Sequence, residues 1–542
     1  MKLLRVHIVA AETCGGLLDG VDIVLRGPQQ ESQTFSPLCL IGPNGAGKSQ
    51  FLQVVAEIFQ SLLHASNSSE ERDEGNQSLQ YEVEYLLETG DGSGPVHVRA
   101  SRKAVDRKKA SVKIERETDQ EWIECDLNDV QTRLLLPRKV VGYTSGGNET
   151  LSLPFLLSRS GYADEVSRRA LQKGDASPDI PDTRLMLIDY GTHLEVLVSN
   201  LLLGNLDQRK FLLSGARLKD LHSFRCVVQL AHSSIPRLKV QGKNPQIRKG
   251  VQLTPELEDY LEQLTSCATC HHFDQRTETY TFDFLVTGET RKAFSSFWQS
   301  SLELYGALHK LAMLNDLAIP KVTRERFKRE TKSRRFASRL PEPQDEFKVF
   351  RFEQVDFQHL DKGVVDYVSL SDGEHQLAQL LGTFAMFSFP GVLFLLDEPE
   401  SHFNPLWRVK FISRLLDLPG PEGTRRGSDI SAKQDMLMTT HSPFVPSDMQ
   451  RESVLIFGKD AETGKVVVRR PEIETFGATF DAILDECFDV RPPMADEARA
   501  EIKLLMKSDD PAKIKAGMEK LGFSVEKTYL ADRLRQLEAG GG

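Results

Sequence analysis

Eight residues near the start of the chain, Gly42-Pro43-Asn44-Gly45-Ala46-Gly47-Lys48-Ser49, satisfy the pattern G-x-x-x-x-G-K-[ST]. The chemistry of that pattern is phosphate binding. Glycines let successive backbone amides curl around a polyphosphate without a Cβ clash. Lys48 brings a point charge to the β and γ phosphates, and the Ser49 hydroxyl is a ligand for Mg²⁺. The helix that opens here aims its positive end at the anion. Asn44, Gly45, Ala46, Gly47, Lys48, Ser49 and Gln50 are therefore the candidate nucleotide-binding residues, with ATP and Mg²⁺ as the expected cofactors.

A second chemical group stands far along the chain. "VLFLLDEPE" places Asp397 and Glu398 at the end of an apolar run. Asp397 can hold Mg²⁺, directly or through water. Glu398 can act as general base toward an attacking water, or position it. "TTHSPF" sets His441 just after another short apolar run, where an imidazole could reach a γ-phosphate. Between the phosphate loop and the acidic pair lies "VSLSDGEHQLAQLLGTF". Its Ser371 and Glu374 form a capping box at the start of an amphipathic helix. Ser371, Asp372, Gly373 and Glu374 at an exposed helix start make a second phosphate receptor, suited to the nucleotide of another protomer.

These groups need a particular scaffold. "PLCLI" followed by the glycine-rich loop and "SQFLQVVAEIFQSLL" reads as strand, loop, helix. "YEVEYLLET", "HVRAS" and "SVKIERET" alternate as strands of an antiparallel sheet. "GVLFLLDE" is apolar throughout, as a parallel strand buried on both faces must be, with "DMLMTTH" and "SVLIF" expected as its neighbours. The N-terminal "MKLLRVHIVAAETC" is interrupted by Arg5 and His7, so it reads as an edge-type strand rather than a signal peptide. The expected division is an N-lobe at 1–154, an inserted, mostly helical accessory domain at 155–345, a C-lobe at 346–489 and a helical tail at 490–542.

In their order the phosphate loop, LSDGE, DEPE and TTHSP motifs resemble an ABC-type ATPase, and more narrowly the RecF, SMC and OLD group. The resemblance covers residues 1–65 and 365–480. It implies an α/β head built from both ends of the chain and split by an insertion, and two heads that sandwich ATP in a homodimer or higher oligomer. It also implies a D-loop at Ser401, His402 and Asn404. "ETFGATFDAIL" resembles a segment that follows the switch histidine in that group. The Q-loop glutamine of the group is not evident; Asn148 stands in its expected region, as a possible further metal-side ligand. "GPNGAGKSQ", "SLSDGEHQLAQLLGTFAMF" and "LLDEPESHFNPLWR" look most like the PtuA-like ATPases of Septu and retron defence systems. That likeness implies a partner HNH nuclease, PtuB-like, and in retrons a reverse transcriptase with its RNA–DNA product. The alternative within the group is a RecF/SMC-like DNA-repair ATPase. No E…D-x-D or HNH-like set follows His441, so any cutting is expected of a partner.

Composition sets outer limits. The net charge of −10 excludes a uniformly basic nucleic-acid binder. Two basic runs stand against that background. One is 102–113. The other, 321–339, carries nine basic and two acidic residues and offers Arg324, Arg326, Lys328, Arg329, Lys332, Arg334 and Arg335 as nucleic-acid candidates. Seven scattered cysteines argue against a disulfide framework and fit the cytoplasm. Cys267, Cys270, His271 and His272 contain C-x-x-C-H, read here as reduced, structural cysteines rather than a haem or zinc site. No apolar run is long enough to span a membrane.

Overall fold

The computed structural model describes residues 1–27, 34–88, 94–104, 110–146, 150–170, 179–231, 248–333, 343–491 and 493–540. Three sheets organise them. The first is antiparallel and six-stranded, in the order Val21–Val24, Lys2–Ala10, Gln80–Glu88, Pro95–Lys103, Ser111–Thr118, Glu121–Glu124. Its strands alternate buried and half-buried residues, as one covered face requires. The N-terminal strand is not an edge, contrary to the expectation from its interrupting charges. It lies between two partners, because Arg5 on the outer face finds carboxylates on both: Asp22 at 2.6 Å, and Glu82 and Glu84 at 3.1 and 3.4 Å.

The second sheet holds the chemistry. Its seven strands run Val466–Arg469, Val454–Lys459, Leu38–Ile41, Asp435–Thr439, Val392–Asp397, Lys139–Thr144, Leu185–Ile188. All are parallel except Val466–Arg469, which closes a hairpin. Val392–Asp397 is buried along its whole length, as its unbroken apolar run demands. Asp435–Thr439 is its neighbour as expected, but Val454–Lys459 is not. The phosphate-loop strand pairs with both Asp435–Thr439 and Val454–Lys459 and so stands between them.

The third sheet is antiparallel, in the order Cys270–Asp274, Thr279–Leu285, Leu218–Gln229, Phe350–His359, Gly363–Asp366. Helices pack around it, among them His193–Leu203, Pro255–Cys267 and Ser301–Met313; the helix Lys321–Ser333 meets Ser152–Arg169 instead. Two strand pairings run across the boundaries expected at 155 and 345. Leu185–Ile188 completes the parallel sheet, because its four apolar residues pair with the buried strand Lys139–Thr144. Phe350–His359, beyond the expected boundary at 345, pairs along nearly all of Leu218–Gln229.

The antiparallel sheet and the helix Lys48–Ser66 enclose one core against the parallel sheet. A second core fills the opposite face of that sheet. A buried bidentate pair ties the two sheets: Arg26 donates to both oxygens of Asp435 at 2.7 and 2.8 Å, and the Leu3 amide donates to the same carboxylate at 2.7 Å. The tail helices Asp496–Met506, Pro511–Lys520 and Val525–Gly540 close around their own small core of Ile502, Leu505, Ile514 and Leu530. Among the described residues no helix is long and apolar enough to cross a membrane.

Candidate nucleotide site

The phosphate loop leaves its strand at Ile41 and enters the helix at Lys48. Two glycines in it are sterically required. Gly42 has φ +135°, and a Cβ there would lie 2.1 Å from the Phe457 carbonyl oxygen. Gly47, at the helix N-cap with φ +93°, faces Leu18 and Val466 at 3.2 Å. Pro43, Asn44 and Gly45 are exposed, while Ala46 is buried and Gln50 half-buried. Lys48 is 5% exposed and donates to the carbonyls of Gly42 and Pro43 at 2.9 and 3.1 Å. Burial lowers its pKa, and Glu398 and Asp397 oppose that shift.

Ser49 and Asp397, the two candidate metal ligands, meet. The Ser49 hydroxyl donates to Asp397 Oδ1 at 2.9 Å across 348 residues of chain. Both are hard oxygen donors. They fit Mg²⁺, which takes one or two protein oxygens and completes its shell from phosphate and water. Thr439 steadies this carboxylate from the neighbouring strand. Its hydroxyl donates to Asp397 Oδ1 at 2.5 Å and accepts the Glu398 amide at 3.0 Å.

Glu398 has φ +47°, a left-handed conformation that a non-glycine residue holds only when its surroundings dictate it. The turn carries its carboxylate off the strand end, 44% exposed, with His441 Nε2 3.3 Å from its Oε1. Burial and the nearby Lys48 lower the pKa of His441. Two residues on, Glu400 turns inward. It is 3% exposed, accepts from the Thr440 hydroxyl, and burial pushes its pKa up to about 7. So Thr439, Thr440 and His441 each engage one carboxylate of "DEPE" in turn: Asp397, Glu400 and Glu398.

The signature residues form a separate surface. Ser371 caps the helix Asp372–Met386, with a reciprocal bond to Glu374, and Ser371 and Asp372 are exposed. Gly373 is packed against the expected D-loop segment: a Cβ there would lie 2.8 Å from the His402 carbonyl oxygen and 3.4 Å from the Trp407 ring. Gln376 accepts the His402 amide at 3.1 Å. The Ser401 hydroxyl donates to Ser145 at 2.7 Å, and Asn404 caps the helix Pro405–Leu416. Ser145 follows the strand Lys139–Thr144, which pairs with the strand ending in Asp397. The region 140–155, in which a Q-loop residue is expected, thus passes beside Asp397, which pairs with Thr144. Asn148 itself lies outside the described residues.

The basic helix Lys321–Ser333 does not present all its cations outward. Arg324 is 7% exposed and donates to Asp164, and Lys328 donates to the same carboxylate at 2.7 Å. The helix is amphipathic, and this side carries Phe327 into a small core with Leu157 and Ile319, which draws Arg324 and Lys328 inward. Of the expected nucleic-acid contacts, Arg326 and Arg329 face solvent. Arg334, Arg335 and the Lys332 side chain lie outside the described residues, as does the middle of the run 102–113. Cys267 is buried and its thiol pushed up to about 12 by that burial, while Cys270, His271 and His272 lie exposed on a sheet-edge strand. Among the described residues no group of three or more His, Cys, Asp or Glu could hold a metal.

Sequence reading alone missed Thr439, Glu400, Ser145 and Gln376. Thr439 and Glu400 sit inside motifs already noted, so their proximity was the available signal. Gln376 also lies inside the quoted signature stretch, whereas Ser145 lies in none of the quoted motifs.

Residues 291–448 match a family described as "AAA domain, putative AbiEii toxin, Type IV TA system". No curated protein matches the chain. Among solved structures, the Smc head domain with an extended coiled coil from Pyrococcus furiosus, bound to the C-terminal domain of ScpA, is 13% identical. It aligns over 86% of this chain and 96% of its own, at a TM-score of 0.29, too low a superposition to bear on function. The family match spans the signature helix, the acidic strand end and His441 but not the phosphate loop, which the fold supplies from the other end of the chain. Over its matched residues the chain is similar to AAA-type ATPase domains, and the phosphate loop, with its P-loop pattern, docks against them through Ser49 and Asp397.

Proposed function

We propose that this protein binds ATP with Mg²⁺ and hydrolyses it, and that it does so as an effector ATPase of a PtuA-like defence system that controls a partner HNH nuclease. The observation that carries the ATPase reading is that residues from both ends of the chain meet, Ser49 bonding Asp397 at 2.9 Å while the adjacent Glu398 lies 3.3 Å from His441. Lys48 and the loop amides hold the triphosphate. Ser49 and Asp397 hold the metal. Glu398 orients or deprotonates water, and His441 lies beside it.

The exposed pair Ser371 and Asp372, backed by the D-loop, supports a nucleotide sandwiched between two copies of the chain, each offering its signature helix to its mate's phosphate. Closing with ATP and relaxing on hydrolysis makes a gated clamp. The similarity over residues 291–448 to a family described as a putative toxin favours a defence role over DNA repair. A reverse transcriptase and its RNA–DNA product are further partners of this reading, with Arg326 and Arg329 as nucleic-acid contacts. The helical tail is the docking element for the nuclease, and the cytoplasm the compartment.

The test is Glu398→Gln in the full chain. ATP should still bind, turnover should fall at least about a hundredfold, and an ATP-dependent dimer should accumulate in size-exclusion chromatography. Wild-type turnover in this variant refutes the role of Glu398. Co-purification with an HNH protein encoded beside it tests the partner.

A further inference from the structure

The hairpin Val454–Lys459 and Val466–Arg469 follows the phosphate loop along its length. The Phe457 carbonyl oxygen lies where a Cβ on Gly42 would be, 2.1 Å from that position. At the other end of the loop, Val466 Cγ2 lies 3.2 Å from the corresponding position on Gly47. Between these two fixed points stands Lys459. Its Nζ is 3.9 Å from the Cβ position of Gly45, on the exposed apex of the loop.

The placement has a structural cause. Lys459 and Val466 are direct cross-strand partners, so both side chains leave the same face of the hairpin. Val466 is 6% exposed and packed in the head core, which anchors that face against the loop. The neighbouring acid does not draw the ammonium away. Asp460 is engaged by its own turn, accepting the Glu462 and Thr463 amides and the Thr463 hydroxyl.

We infer that Lys459 is a second phosphate-binding cation of the nucleotide site, closing over the loop apex opposite the buried Lys48. The inference rests on the nucleotide reading above and extends it to a residue outside every motif. Lys48 is sequestered among loop carbonyls. Lys459 is solvent-exposed, on a long stem, and free to settle on a non-bridging oxygen of a polyphosphate. Its charge contribution is therefore more sensitive to salt than that of Lys48.

The experiment is a titration of the full-length protein with a fluorescent ATP analogue and Mg²⁺, at low and physiological salt, comparing wild type with Lys459→Gln, Lys459→Arg and Lys48→Ala. Lys459→Gln should weaken binding about three- to tenfold at low salt and less at high salt, and Lys459→Arg should stay near wild type. The thermal midpoint without nucleotide should not move, which separates lost phosphate contact from lost folding. Equal affinity and equal salt dependence in Lys459→Gln and wild type overturn the inference. Failure of the wild type itself to bind overturns the nucleotide reading instead, and Lys48→Ala reports on that reading independently.

Discussion

The Thr439 hydroxyl donates to the Asp397 carboxylate at 2.5 Å while accepting the amide of Glu398 at 3.0 Å. One buried side chain thus fixes both the Asp397 carboxylate and the peptide that turns Glu398 off the strand end. Thr439→Val keeps the shape and removes both bonds. It should lower Mg²⁺-dependent turnover by about tenfold or more, with a smaller effect on nucleotide affinity. It should also cost about 1–3 kcal/mol of stability from the unsatisfied buried groups. Steady-state kinetics beside chemical denaturation will separate the two.

Ser371 and Asp372 are exposed, and Gly373 behind them is backed onto the D-loop. A bulky cation at that helix start should block a mate without touching the phosphate loop. Ser371→Arg is expected to bind ATP within about twofold of wild type, yet to form no ATP-dependent dimer when combined with Glu398→Gln. Dimerisation of the double variant in analytical ultracentrifugation would contradict assembly through this face.

The Arg26–Asp435 pair is buried, bidentate and placed where the two head sheets join. Breaking one side leaves a charge without its counterpart. Arg26→Met should cost about 3–5 kcal/mol. Asp435→Asn should also destabilise, since Lys2 and Arg26 then share one neutral neighbour. Urea unfolding of both variants measures this. A loss under about 1 kcal/mol would mean that water compensates the pair.

His97 lies between Glu84 and Glu117 on the outer face of the antiparallel sheet, 3.5 and 2.7 Å from their carboxylates. Glu84 is the largest influence raising its pKa, with burial opposing and Glu117 adding to the rise. Because the folded pKa exceeds the unfolded one, the protonated form is the stabilising one. The contribution is complete below the unfolded value of about 6.5 and is lost as pH rises through the higher folded value. His97→Gln should therefore lower the thermal midpoint more at pH 6 than at pH 8.5. An equal loss at both would assign His97 a packing role only.

The local chemistry was written in the linear chain. A glycine-rich loop between an apolar strand and an amphipathic helix is the pattern of a phosphate loop, and a short unbroken apolar run ending in Asp397-Glu398 fits a strand buried on both faces. Capping of the signature helix by Ser371 and Glu374 likewise needs nothing beyond four consecutive residues. What the chain alone could not decide were the pairings between distant segments. Leu38–Ile41 stands between Asp435–Thr439 and Val454–Lys459, which sets Ser49 against Asp397 and lays the hairpin of Lys459 along the phosphate loop. The basic helix turned Arg324 and Lys328 toward Asp164 because its apolar side had a core to meet, a fact no charge count contains. Short-range motifs are set by backbone sterics and capping within a few residues. Strand order, and the direction in which a long charged side chain is drawn, are set by which surfaces the whole fold has left to bury.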